Sequence, residues 1–383
     1  MHRVRKWSVG AAFALAPAAF SLLFVWGSLR HDRVPSFRDQ SDFFFPSHVY
    51  TASRLRSFSL PLWNPLSGNG ESWIGSGQSE AFYPPALVFL LRNAAVATGA
   101  FLFFHFLLAN FCFFGWLRSR SLGRPAATLG SAVFAFSGGA VSMSVYWNHF
   151  AGFAWLPAMA WAAQLGLTTR KQRAGFAVSL AAAVLAGSPE MGLFGLVLGA
   201  FIFFFETRRK ELEQRETGRV RRRSWRLFAA AAISGSVLCA VQVFPIFDTV
   251  VHANARSSVW PGQIGIRQLA GSVAAPSLSP WPWLPAGAGY LQSIYVSLPI
   301  LLLPVAAFAL PERKRERAVW AALGTAALAA AMVPLEGPFR YPSKLFAIVL
   351  FAFALLAAEG LEGLRFAVRG RSAWVAAAAA ALT

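Results

Sequence analysis

Acidic side chains are scarce in this chain. Aspartate and glutamate number 16 in 383 residues against 35 lysines and arginines, and charged residues of both signs make up only 13%. Soluble domains carry about 25% charged residues, so a water-soluble globular class is excluded. Cysteine is nearly missing. Cys112 and Cys239 both fall inside apolar runs, which excludes a disulfide framework and a thiolate metal centre and leaves two small buried hydrophobes. Soluble-enzyme motifs are absent too: there is no phosphate-binding loop, zinc-binding helix or dinucleotide fingerprint. Gly68-x-Gly70 is followed by Trp73 where a third glycine would stand, and no suitable helix comes after it.

What is abundant is apolar sequence. Hydrophobic residues are 56% of the chain and recur in runs near membrane length, the pattern of a multi-pass α-helical membrane protein. The net charge of +19 would suit nucleic acid, but its distribution argues against that partner. The cations cluster in every second gap between apolar runs, and 25 of the 35 fall in the gaps assigned to the cytoplasm. That is the positive-inside bias. Arg3, Arg5 and Lys6 precede an apolar run too long for a signal-peptide core, so the first run reads as an uncleaved helix with a cytoplasmic amino terminus.

The expected fold class is therefore all-α, a polytopic bundle of about 10–11 helices in a single membrane domain over 1–383. Helix 1 is expected near 7–29, helix 2 near 95–117, helix 3 near 125–145 and helix 4 after Tyr146-Trp147-Asn148-His149. Helices 5 and 6 form a tight hairpin with its tip at Ser188-Pro189-Glu190. Helix 7 is placed near 227–245, helix 8 near 289–310, helix 9 near 318–333 and helix 10 near 345–364. The final run, from Ala373, holds only about ten apolar residues, too few to cross, and is read as a carboxyl truncation. Three gaps stand out: a first outer loop over 30–94, a basic cytoplasmic loop over 208–226 suited to anionic headgroups, and a second large outer loop over 246–288.

The first outer loop concentrates reactive groups. Three of the four aspartates, Asp32, Asp39 and Asp42, lie in or beside it, with Trp63-Asn64-Pro65, Gln78, Glu80, Tyr83 and Pro84-Pro85. Pro46 to Phe58 is expected to form an interfacial helix, with Val49, Tyr50, Ala52 and Leu55 broadly on one side and Arg54 and Arg56 on the other. Asp39 would sit near the headgroups ahead of it. A carboxylate there can act as a general base towards a hydroxyl or as a ligand to magnesium or manganese. Arg38, Arg54, Arg56, Arg340 and Lys344 can hold a phosphate. The structural alternatives are ordinary: Asp42 as a helix-start acid, the arginines as a charge rim on lipid. His105, Asn110 and Gln242 are polar groups within apolar runs, and either functional or interhelical hydrogen-bonding roles suit them.

The chain resembles the YfhO-like family of bacterial multi-pass membrane proteins, assigned to the GT-C class of glycosyltransferases. The resemblance is carried, in order, by Phe37-Arg38-Asp39, Pro46, Leu60-Pro61-Leu62-Trp63-Asn64-Pro65, Gly70, Gln78, Ala81-Phe82-Tyr83-Pro84, Phe134-Ala135-Phe136-Ser137-Gly138, Trp155-Leu156-Pro157, Ala186-Gly187 with Pro189, and Phe339-Arg340-Tyr341-Pro342 with Lys344. It implies a GT-C-like bundle in the bacterial inner membrane, a polyprenyl-phosphate-linked sugar donor, and an envelope glycan or glycolipid acceptor at the outer face. It also implies an acid of the first outer loop as base or metal ligand: Asp39, with Asp42 as second candidate. Arg38, Trp63, Asn64, Gln78, Glu80, Tyr83, Arg340 and Lys344 are the implied substrate-binding set. Two departures stand out. Ser188-Pro189-Glu190 replaces a His-Pro-Gln-like sequence, and the chain ends where relatives continue. A flippase for a lipid-linked glycan and a non-catalytic envelope assembly protein are the competing functions.

Overall fold

The computed structural model describes residues 15–27, 29, 34, 38–67, 69–214, 218–252, 264, 291, 293–308, 313–333 and 341–369. Phe37, Asp32, Arg340, most of the 246–288 loop and the final apolar run lie outside the described residues. The chain forms two compact units, one of 18–112 with 144–255, the other of 113–143 with 256–383 and 1–17.

Both units are helical. Among the described residues the strands are β1 (Trp63–Asn64) and β2 (Glu71–Ser72), antiparallel, with Trp63 opposite Ser72. Four helices among the described residues are long and apolar enough to cross a membrane: Ala94–Ser119, Arg124–Met143, Pro189–Leu212 and Pro342–Arg365. A bent pair, Ser224–Leu238 with Ala240–His252, makes a fifth if it is one span. Of the ten or eleven helices expected, parts of the first, eighth and last runs lie outside the described residues, and others are shorter or broken.

In the first unit, α1 (Leu15–Gly27) lays Phe24 against Phe106 of α3 (Ala94–Ser119) at a centroid distance of 4.6 Å. Asn93 caps α3: its Oδ1 accepts from the Ala95 and Val96 amides, satisfying donors that a helix start leaves open. Helix α6 (Trp147–Gln164) is apolar on nearly every side and buried throughout, as a helix without a polar face must be. It packs against α7 (Arg170–Leu185) and α8 (Pro189–Gln214). A methyl at Gly152 would stand 2.9 Å from Met191 and Ser188 side chains, so glycine permits the close α6–α8 approach.

Two boundaries move for local reasons. Helix α7 begins at Arg170 rather than 174, because Thr169 and Gln172 form a capping box that draws the basic residues into the first turn. Helix α8 runs past 205 to Gln214, where Arg209 and Lys210 reach back to Glu206. Residues 218–226 open α9 (Gly218–Leu238). The expected helix 7 is instead α9 and α10 (Ala240–His252), bent by 66°, so the second outer loop opens with helix.

In the second unit, the expected helix 3 is broken into α4 (Arg124–Phe136) and α5 (Gly138–Met143). Ser137 is extended, and the Gly138 amide donates to the Tyr295 carbonyl at 2.8 Å. Ser142 and Ser293 exchange two further bonds, so the break is paired by backbone from 293–295. Helices α11 (Leu298–Ala307), α12 (Lys314–Ala331) and α13 (Phe346–Arg369) complete this unit. Its centre is aromatic: Phe113 stacks on Phe134, and Trp116 and Trp320 close on Phe351.

Candidate functional site

The first outer loop is a compact structure built on α2 (Phe45–Arg56), with Pro46 in the first turn. Its inward face carries polar groups beside Ala52. Ser47, His48, Thr51 and Ala52 are buried, while Val49 is exposed. The reason is hydrogen bonding. Thr51 Oγ1 accepts from the Trp73 indole at 2.9 Å, and His48 meets Glu80. Partners in the loop outweigh the apolar pattern, because a buried polar group is tolerated when it is paired.

Asp39 and Asp42 sit on the turn that leads into α2. Arg38 is left-handed, with φ of 50°; its carbonyl accepts from the Ser41 and Asp42 amides, each at 3.1 Å. Gln40–Phe44 is a single π-helical turn with Asp39 at its cap. Such turns and such strained residues are enriched at functional sites. Asp39 is half-buried, and Asp42 is exposed and accepts from Ser41 Oγ at 2.9 Å. Gln40 anchors the turn to the Ser144 carbonyl.

The other expected residues divide. Asn64 is buried and caps its own turn through the Leu66 amide. Trp63 is exposed, and its indole covers Gly70, where a methyl would come within 2.6 Å of the ring. Gln78 is half-buried. Lys344 belongs to the second unit and lies over the Tyr341 ring at 5.6 Å. Arg54 and Arg56 are exposed but are also bonded within the loop. Arg54 donates to Ser59 Oγ, and Arg56 donates to the Phe89, Leu90 and Leu91 carbonyls. They hold the loop together.

Glu80 lies deeper than a surface substrate contact would. It is 1% exposed and left-handed, with φ of 50°. Its carboxyl stands 3.3 Å from His48 Nε2. His48 Nδ1 is 2.8 Å from the Phe44 carbonyl, and a carbonyl only accepts, so Nδ1 carries a proton. A proton must then lie between Nε2 and the carboxyl, on one or the other. Burial pushes the Glu80 carboxyl above its ordinary value of 4.5, opposed by the charge and hydrogen bond of His48. Phe89, Trp147 and Phe101 surround the imidazole, with centroids at 4.3, 5.2 and 5.5 Å. Nothing in the sequence pattern singles out His48; the signal available was a histidine inside a helix that also holds Thr51.

A second polar chain lies beside this pair. The Trp155 indole donates to the Tyr83 hydroxyl at 2.8 Å, and that hydroxyl lies 2.6 Å from His105 Nε2. His105 Nδ1 is bound to the Phe101 carbonyl, so Nε2 is the acceptor and Tyr83 the donor. Burial holds the Tyr83 phenol well above its ordinary value of 10.0; the Trp155 bond opposes this and the Glu80 charge adds to it. Gln242 of α10 donates to the Ile74 carbonyl. Glu190 pairs with His149 at 3.4 Å, but Ser188 Oγ meets the same Nδ1 at 3.0 Å. Both partners share one ring nitrogen, so the imidazole does not bridge them as a nucleophile–base relay requires.

Among the described residues, no group of three His, Cys, Asp or Glu side chains converges as a metal centre. The chain matches no protein-family model, no curated protein and no solved structure. Fold and site together define a class: a helical protein with four or five membrane-length helices among the described residues and a folded loop that buries a Glu–His pair.

Proposed function

We propose that the chain is a GT-C-like glycosyltransferase of the bacterial inner membrane, with a cytoplasmic amino terminus. It moves a sugar from a polyprenyl-phosphate-linked donor to an envelope glycan or glycolipid acceptor at the outer face. The observation that carries this reading is the strained π-helical turn that holds Asp39 half-exposed on an otherwise internally bonded loop. Phe58, Leu60, Leu62, Trp63 and Leu66 are exposed on the same loop, an apolar rim suited to a bilayer surface where the donor's lipid lies.

In this mechanism Asp39 accepts the proton of the acceptor hydroxyl. The oxygen attacks the anomeric carbon, and the bond from that carbon to the phosphate oxygen breaks. The electron pair leaves with the lipid phosphate, whose charge Arg38 beside Asp39 neutralises. A divalent cation at Asp39 would take its remaining ligands from phosphate oxygens and water, as magnesium commonly does. Transport is the weaker reading, because the polar groups a path would need are engaged: His105 on both ring nitrogens and Gln242 on the loop.

The test is complementation of a deletion strain with the chain or its Asp39→Asn form at matched membrane levels, read as envelope sugar composition. The wild-type chain should restore the missing sugar and the variant should lose about a hundredfold or more of transfer, the usual scale for a removed general base. Equal restoration by both would remove Asp39 from the chemistry and favour transport or assembly.

A further inference from the structure

The Glu80–His48 pair faces a small cavity that the proposed transfer does not use. Its walls include His48, Glu80 and Tyr83, and its free volume is about 10 Å³, room for one water-sized group. His48 Nε2 and Glu80 Oε2 face each other across the shared proton, which leaves Glu80 Oε1 as the buried oxygen without a hydrogen-bond partner. A buried acceptor in that state calls for a donor from outside the chain. Apart from Thr51, whose hydroxyl is bonded to the Trp73 indole, the rest of the lining is aliphatic and includes Leu55, Leu87 and Leu90. Leu87 and Leu90 are exposed to the surroundings.

The walls set the chemistry of the occupant. Among the described residues no lysine or arginine lines the cavity, and a carboxyl in its wall repels phosphate. A pair that shares one proton is neutral as a unit, so a neutral tip enters without burying an unpaired charge. The tip must donate to a carboxyl oxygen, and the group attached behind the tip must be apolar. We propose that the Glu80–His48 cavity binds the hydroxyl tip of a long-chain alcohol, with the chain lying along Leu55, Leu87 and Leu90. Asp39 does not line this cavity, and the inference does not depend on sugar transfer.

The experiment uses the full chain in nanodiscs of phosphatidylcholine, a lipid without a hydroxyl tip, and a dodecanol analogue with a diazirine in its chain. Photolabelling should map to the segment 87–90 and be suppressed by excess dodecanol but not by dodecyl methyl ether. Ala86→Trp, which narrows the opening and leaves the polar pair intact, should lower labelling about tenfold, the loss of about one buried hydrogen bond. Glu80→Leu should do the same. Competition by dioleoylglycerol as strong as by dodecanol would assign the occupant to a bilayer lipid; competition by dodecanol alone would assign it to a free alcohol. Equal competition by the ether, competition by dodecylamine but not dodecanol, or absence of saturable labelling would each overturn the proposal, the last leaving a water site only. These competitions on the wild-type chain decide the matter even if a variant fails to fold. Asp39→Asn should keep wild-type labelling, so failure here and failure of the transfer reading are told apart.

Discussion

Glu80 is the residue whose environment departs most from what its neighbours in sequence suggest. It comes after Gln78-Ser79 in a polar stretch, yet its carboxyl is buried against His48 with its backbone in the left-handed region. Its folded pKa lies above the ordinary 4.5 because burial disfavours the charge. The linkage has one sign. Its contribution is fully present below 4.5 and is lost as pH rises through the raised value, because the folded state there binds the proton that the unfolded chain has released. His48 faces the carboxyl directly, and Tyr83 and His105 are the other titratable groups beside it. Glu80→Gln is neutral at every pH. The difference in unfolding midpoint, variant minus wild type, should therefore grow as pH rises from 4.5; a flat difference would mean that the carboxyl stays fully charged in the fold. Sequence alone pointed to Glu80 as a polar loop residue and to Asp42 as an acid at the start of a helix. Asp42 does lie in the first turn of the π-helical segment. The partner of Glu80 was not legible, since His48 is 32 positions away and its pairing depends on how the loop closes.

At the scale of elements, α2 shows where periodicity stops. Helix and starting proline were legible from Pro46 onward, because proline at a first turn and the apolar spacing after it are local signals. The buried face was not. The spacing put Val49, Tyr50, Ala52 and Leu55 on one side and Arg54 and Arg56 on the other; the loop offers Trp73 and Glu80 as partners, so Thr51 and His48 turn in beside Ala52. The α7–α8 connection is a second case. Gly187 has φ of +79°, and a methyl there would stand 2.8 Å from the Gly77 carbonyl oxygen and 3.1 Å from Gln78 Cα, both backbone. Asn148 closes the same corner by donating to the Gly187 carbonyl. Gly187→Ala should cost about 1–2 kcal/mol from the left-handed backbone alone, with more from the clash. Gly175→Ala, with nothing within 4 Å of the added methyl, should be neutral or stabilising by up to about 1 kcal/mol. Thermal unfolding in one detergent compares the two; equal midpoints would show that the hairpin tip yields without resistance.

At the scale of the whole molecule, charge placement matters most. In the second unit Glu359 of α13 lies between two buried arginines, 2.8 Å from Arg317 Nε and 3.3 Å from Arg120 Nη2, and Glu316 meets Arg120 at 2.7 Å. Removing one partner of a buried ion network costs about 3–5 kcal/mol. Glu359→Leu should therefore lower the unfolding midpoint far more than a surface change, and an unchanged midpoint would mean the network is solvated in solution. The assigned topology has its own check. Cys112 and Cys239 are both buried, so single cysteines at exposed positions report cleanly. Ser57→Cys should react with a membrane-impermeant maleimide on intact cells, and Leu212→Cys only after permeabilisation. The reverse pattern would invert the bundle.

The low charge and long apolar runs determine a helical, membrane-length architecture without reference to any contact, because lipid leaves backbone groups no partner but their own helix. Caps, proline starts and basic gaps are equally local, and so were open to reading. Tertiary structure alone decided which runs break, as at Ser137, where a distant segment supplies the hydrogen bonds. It alone decided the inward face of α2 and the meeting of His48 with Glu80. Both depend on groups distant in sequence finding each other, and burial makes an unpaired polar group too costly for any other arrangement.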